Sequence, residues 1–134
     1  MAAKHLVPAG NVVASTTFDT SGTTATTACI WAPSTSSGFG ALNDCVVYVK
    51  GTIVGIESNG GNGYSGAAEA LATVERRSGV LIIKNQSVIY EDAIITSLAF
   101  NTNSGNLEMK VTPNTAQTIH WFATIKIELA YEYQ

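Results

Sequence analysis

The sequence predicts an all-β protein, an antiparallel β-sandwich of the jelly-roll kind with an extended N-terminal arm. Three observations carry that expectation. First, the last sixteen residues alternate: Ile119, Trp121, Ala123, Ile125, Ile127, Leu129, Tyr131 and Tyr133 lie to one side, and His120, Phe122, Thr124, Lys126, Glu128, Ala130, Glu132 and Gln134 to the other. A period of two over that length describes a strand with one buried face. At about 3.3 Å per residue it spans roughly 50 Å. Second, several runs rich in β-branched and aromatic residues are separated by clusters of Gly, Pro, Asn, Asp and Ser, the punctuation of short antiparallel strands. Third, hydrophobic residues make up 46% of the chain and charged ones only 13%. The core is therefore large, and the surface must rely on Ser, Thr, Asn and Gly or be covered in an assembly.

The elements follow in order. Residues 1–10 read as an arm, with Pro8 and Gly10 as punctuation, and residues 11–134 as one sandwich domain. Residues 11–18 suit a strand, and Asp19-Thr20-Ser21-Gly22 a turn. The Thr-rich run 23–31 is strand-compatible, and 32–43, which holds Pro33, reads as an exposed loop. Residues 45–56 form a strong strand in which Gly51 and Gly55 mark bulges or close backbone approach. Residues 58–66 hold four Gly and two Asn and read as a flexible loop. Residues 67–77 are Ala-rich and helix-prone, yet Ala68, Ala70, Ala72 and Val74 would face one side of a strand. A strand is expected there, with a helix as the alternative. Turns at 77–79 and 103–106 and short strands at 80–83, 87–90, 94–100 and 107–111 precede the final long strand.

Composition narrows the function classes. The 134 residues fit one domain, and a net charge of −3 offers no basic patch for phosphates, so nucleic acid is not an expected partner. No apolar run approaches the length of a membrane span, and Met1-Ala2-Ala3-Lys4-His5 does not read as the start of a signal peptide, so none is expected. The expected place of synthesis is a cytosol. There Cys29 and Cys45 would be free, half-buried thiols, with a disulfide as the alternative. Two cysteines without further ligands do not make a zinc site.

The motifs that could carry chemistry have plainer readings. Gly61-Asn62-Gly63-Tyr64-Ser65-Gly66 matches the dinucleotide-loop spacing, but the parallel strands and crossover helices of that fold are not expected downstream. Asp19-Thr20-Ser21-Gly22 places its Gly one residue late for an aspartic-protease loop, and Gly63-Tyr64-Ser65-Gly66-Ala67 lacks the spacing of a nucleophile elbow. The only histidines are His5 in the arm and His120 on the polar side of the last strand, where packing or a subunit contact is expected rather than catalysis. Asp44, Glu91 and Asp92 could attract calcium but fit no calcium loop. Asn85-Gln86-Ser87 is a glycosylation sequon that stays idle without export. Exposed aromatics among Trp31, Phe39, Tyr48, Tyr64 and Tyr90 could stack on sugars, or could serve as core plugs and subunit contacts. No catalytic residue, cofactor or metal is expected, and neither is an enzyme.

Four stretches carry a resemblance. They are Val49-Lys50-Gly51-Thr52-Ile53-Val54-Gly55; Ala70-Leu71-Ala72-Thr73-Val74-Glu75-Arg76-Arg77; Ser104-Gly105-Asn106-Leu107-Glu108-Met109-Lys110-Val111-Thr112; and Thr118-Ile119-His120-Trp121-Phe122-Ala123-Thr124-Ile125-Lys126-Ile127. In this order and spacing the chain from about Val49 to Tyr131 resembles the small β-sandwich modules of tailed-bacteriophage virion proteins. These include tail-fibre and tail-spike-like chains and head decoration or cement proteins. The resemblance implies a virion location and a contact function without catalytic residues. A capsid decoration protein is the first expectation. A tail-associated or glycan- and receptor-binding module is the alternative. It further implies a homo-oligomer, expected to be a trimer, bound to the major capsid protein or another virion protein. The arm, over residues 1–18, is expected to order only on docking. The candidate contact residues are His5, Val7, Trp31, Phe39, Tyr64, His120 and Trp121.

Overall fold

The computed structural model describes residues 3–5, 11–33, 44–58 and 63–133. Their elements are β1 (Ala3–His5), β2 (Asn11–Thr20), β3 (Thr26–Trp31), β4 (Cys45–Glu57), β5 (Ser65–Arg77), β6 (Val80–Glu91), β7 (Ile95–Asn103), β8 (Asn106–Pro113) and β9 (Ile119–Tyr133). All the pairings are antiparallel. A large sheet runs β1-β9-β4-β5-β6, with β2 also on β9, and a three-stranded sheet runs β3-β8-β7. The two pack face to face as a β-sandwich, as expected.

The final strand organises the large sheet. On one side β9 pairs with β4 from Glu57↔Ile119 to Cys45↔Glu132. On the other it pairs with β2 from Thr20↔Ile119 to Asn11↔Ile127, then with β1 from His5↔Tyr131 to Ala3↔Tyr133. Residues 11–18 are thus paired within the isolated chain, which corrects the expectation that they order only on docking. Over residues 119–127, and again at 131–132, β9 is paired on both sides, which a long apolar strand at an edge would not be.

The Ala-rich segment is a strand. The residues of β5 pair with β4 on one side and β6 on the other, and Ala68, Ala70, Ala72 and Val74 are buried while their neighbours are half-exposed. Ladder bonds on two sides and a buried alternate face outweigh the weak helix preference of alanine. Strand β6 merges two runs read separately from the sequence, with register shifts at Lys84 and Ile89 that kink it.

The core lies between the sheets. From the large sheet come Val47, Val49, Ile53, Ile119, Trp121, Ala123, Ile125 and Ile127; from the small one Trp31, Leu98, Phe100, Leu107, Met109 and Val111. Gly51 makes this packing possible, because a Cβ there would fall 2.8 Å from Phe100 Cζ and into the Met109 sulfur. Its role is close approach, one of the two readings its position allowed.

Side chains close the two seams between the sheets. At the β6/β7 seam the Gln86 amide accepts from the Phe100 N–H at 2.9 Å and donates to the Phe100 carbonyl at 3.1 Å. That bidentate contact imitates one rung of a ladder. At the β2/β3 seam the Thr16 hydroxyl meets Cys29 Sγ at 3.8 Å. The hairpin turns Ser78-Gly79 and Ser104-Gly105 have φ of 50° and 81°, and of 52° and 82°. This is the left-handed pair that suits the twist of flanking strands.

Candidate functional site

Alternation and register define the outward face of the large sheet. Cross-strand partners share a face, so Thr17, Phe122, Val54 and Ala67 form one row from β2 to β5. Asp19, His120, Ile56 and Ser65 form the next. Val54, Ile56 and Phe122 are 51%, 56% and 47% exposed. Three adjacent large apolar side chains therefore stand in solvent on the face of a sandwich that already has its core. An open groove of about 900 Å³ lies here, lined by these side chains and by Ser65, Ala67, Asp92, Asp19 and His120.

What holds the groove in shape lies beneath it. Phe18 stacks on Trp121 with ring centroids 6.4 Å apart, a pairing that contributes about 1 kcal/mol beyond area burial. The Trp121 indole N–H donates to Thr20 Oγ1 at 2.8 Å. Gly55 leaves space for the Trp121 ring, since a Cβ would sit 2.5 Å from Cζ3 and 2.9 Å from Ile119 Cγ2. Asp92 Oδ2 accepts from the Ala67 N–H at 2.8 Å, which ties the β6–β7 connection to the start of β5.

Polar groups on this face come in pairs. His120 Nδ1 and Asp19 Oδ1 are 2.6 Å apart. Lys50 Nζ lies 2.8 Å from Glu69 Oε1, and Lys126 Nζ 3.7 Å from Glu128 Oε1. Hydrogen bonding to Glu69 holds the Lys50 ammonium above its ordinary pKa. The pairing matters because Lys50 and Lys126 sit directly opposite in register, where like charges repel. Between these rows the Thr52 and Thr124 hydroxyls join at 2.7 Å.

Asp19, His120 and Ser65 share a row in the order of an acyl-transfer triad, but Ile56 of β4 stands between the last two. Two strand spacings of about 4.8 Å set them roughly 10 Å apart, far beyond hydrogen-bond reach. Among the described residues no group of three His, Cys, Asp or Glu side chains could hold a metal. The Asp44 and Asp92 carboxylates instead accept backbone N–H groups, from Ser78 and Ala67. The segment after Gly63 continues as strand β5, so no helix follows the glycine-rich motif.

The expected contact residues separate clearly. His120 is exposed beside the groove, and Tyr64, just before β5, is 38% exposed. Trp31 and Trp121 are core residues, 1% and 2% exposed. Neither can reach a partner from this conformation, which corrects the expectation for both. Trp121 sits at an odd, inward position of β9, and Trp31 ends β3 against the core. The backbone of His5 lies in β1, while Val7 and Phe39 lie outside the described residues. Sequence reasoning missed Val54, Ile56 and Phe122. Their signal was available as large apolar side chains on the even, outward positions of β4 and β9, where polar residues belong.

No family model matches the chain, and no curated protein matches it. Among solved structures it is similar to the tailspike protein of Acinetobacter phage vB_ApiP_P1, with a TM-score of 0.40 and 12% identity over 95% of this chain and 22% of that one. It is also similar to the tailspike protein of Acinetobacter baumannii phage AM24, with a TM-score of 0.34 and 10% identity over 95% of this chain and 25% of that one. The chain thus spans a quarter or less of the length of these tailspikes.

Proposed function

We propose that this chain is a structural protein of a tailed-bacteriophage virion and that it works by contact rather than by chemistry. The observation that carries the reading is the outward apolar cluster of Phe122, Val54 and Ile56, which the protein's own core does not need. The four sequence stretches that resemble phage virion modules support it. Three of them fall on β4, β5 and β9, which are neighbours at the centre of the large sheet. A capsid decoration protein that stabilises the shell by binding it is the first form of the reading, and a tail-associated module is the second. No reaction, cofactor, metal or nucleic acid enters the proposal.

The test is co-sedimentation of the purified protein with bare capsids and, separately, with assembled tails. Saturable binding to either one supports the reading and decides between head and tail. Binding to neither, at protein concentrations where the chain is folded, would overturn it.

A further inference from the structure

We infer that the partner seated on the outward face of the large sheet is a second copy of this chain, packed face to face about a two-fold axis. The inference rests on the contact reading above and names the occupant of that same face, with a dimer in place of the trimer that the resemblance implies. Three observations point to it.

The first is asymmetry between the two outer faces. On the three-stranded sheet the outward positions include Thr27, Lys110, Thr112, Ser97 and Asn101, with Ile30 and Ala99 the apolar members and Glu108 buried against Asn103. That face is dressed for water. The large sheet instead places Val54, Ile56 and Phe122 side by side beside an open groove. An antiparallel sheet tolerates such a row outside when another layer covers it.

The second is size. Across β2, β9, β4, β5 and β6, strands about 4.8 Å apart and about 12 residues long give a face of roughly 24 by 40 Å, on the order of 900 Å². A standard stable interface buries about 800 Å² on each partner. A copy of the same sheet has the matching extent, and two such faces stack about 10 Å apart as sandwich layers do.

The third is charge. Most ionic groups of this face are paired within it: Lys50 with Glu69, Lys126 with Glu128, and Glu75 with Arg77, while Asp19 is hydrogen-bonded to His120 and Asp92 accepts the Ala67 N–H. A highly charged partner finds little unpaired charge to recognise there. An identical face finds little to repel it, which is what an isologous contact requires. Phe122 is then the anchor, an aromatic side chain entering the opposing groove.

Size-exclusion chromatography with light scattering on the full chain tests this. The wild type is expected at about twice 14.0 kDa, and Phe122→Glu at the monomer mass with an unchanged far-ultraviolet dichroism spectrum. Should Phe122→Glu fail to fold, Ile56→Glu places the same charge on the same face. A wild type that is monomeric or three-fold in mass overturns the inference, and so does a folded Phe122→Glu variant that remains dimeric. Virion binding is scored in parallel, which separates the two failures. A monomer that binds particles through Phe122 sinks the second copy and leaves the contact reading. A dimer that binds no virion component does the reverse.

Discussion

Trp121 and Thr20 are joined across two strands by a buried hydrogen bond, with indole Nε1 2.8 Å from the threonine hydroxyl. Thr20 is the last residue of β2 and faces inward, 7% exposed. Its hydroxyl is the acceptor that lets an indole N–H lie in the core. Thr20→Val keeps the shape and removes the acceptor. Leaving that donor unsatisfied is expected to lower unfolding free energy by about 1–3 kcal/mol, read as a lower denaturant midpoint with an unchanged slope. Thr20→Ser should recover most of the loss. Equal destabilisation by Val and Ser would show that the hydroxyl does not matter.

Gly55 is held by the same indole. An alanine Cβ would press on the Trp121 ring and on Ile119 Cγ2, and neither can retreat because both are buried in the core. Gly55→Ala is expected to cost about 1–3 kcal/mol. Gly22→Ala makes the control, since nothing lies within 4 Å of its added Cβ. Thermal unfolding of the two variants should differ by several degrees, and equal melting temperatures would refute the packing account.

The β6/β7 seam hangs on one amide. Gln86→Glu keeps the acceptor for the Phe100 N–H but sets a carboxylate oxygen against the Phe100 carbonyl, which now receives a donated hydrogen bond at 3.1 Å. A loss of about 1–2 kcal/mol is expected. Hydrogen exchange gives the local reading: the Phe100 amide should exchange faster in Gln86→Ala, while amides in β4 and β9 stay protected. Uniform acceleration across both sheets would mean that the seam is not a separate unit.

Both cysteines are buried thiols. Burial pushes the Cys29 thiol above its ordinary 9.0, with the Thr16 hydroxyl pulling weakly the other way. The folded state therefore holds this proton more tightly than the unfolded one. The stability linked to it is complete below the unfolded thiol's pKa and is lost as pH rises through the higher folded value. At pH 8 a thiol reagent should label neither cysteine in the native protein and both in guanidinium without added reductant. Rapid native labelling would place a thiol outside the core, and absent labelling after unfolding would mean a disulfide.

Much of the fold was legible because its signals were local. Alternation in β9 declared its buried face outright, and Ser104-Gly105 and Ser78-Gly79 announced their turns through residues that tolerate positive φ. The merger of residues 80–83 and 87–90 into β6 was hidden because both kinks, at Lys84 and Ile89, are register shifts against β5. A bulge is a property of two strands and leaves no mark on one. The site was harder still. His120 could be placed on the wet face of β9, but its partner Asp19 lies 101 positions away. Trp31, at the end of a strand-compatible run, read either as an exposed stacking aromatic or as a core plug until β8 appeared beside it. Phe122, Val54 and Ala67 become a row only through the pairing of β9 with β4 and of β4 with β5.

The pairing of β9 on both flanks also governs the order of events during synthesis. Strands β2 and β4 are translated early, yet neither has its β9 partner until residues 119–133 are available. Such distant pairings close large loops before any contact rewards them, so folding is slow for a chain of this size. A ribosome-bound intermediate ending before Ile119 presents β2 and the β9-facing edge of β4 without their partner, segments rich in valine, isoleucine and threonine of the kind that holdase chaperones recognise. Translation speed through the last fifteen codons of β9 is therefore a control point for yield, and a pause placed just upstream of them should raise aggregation without altering the finished protein.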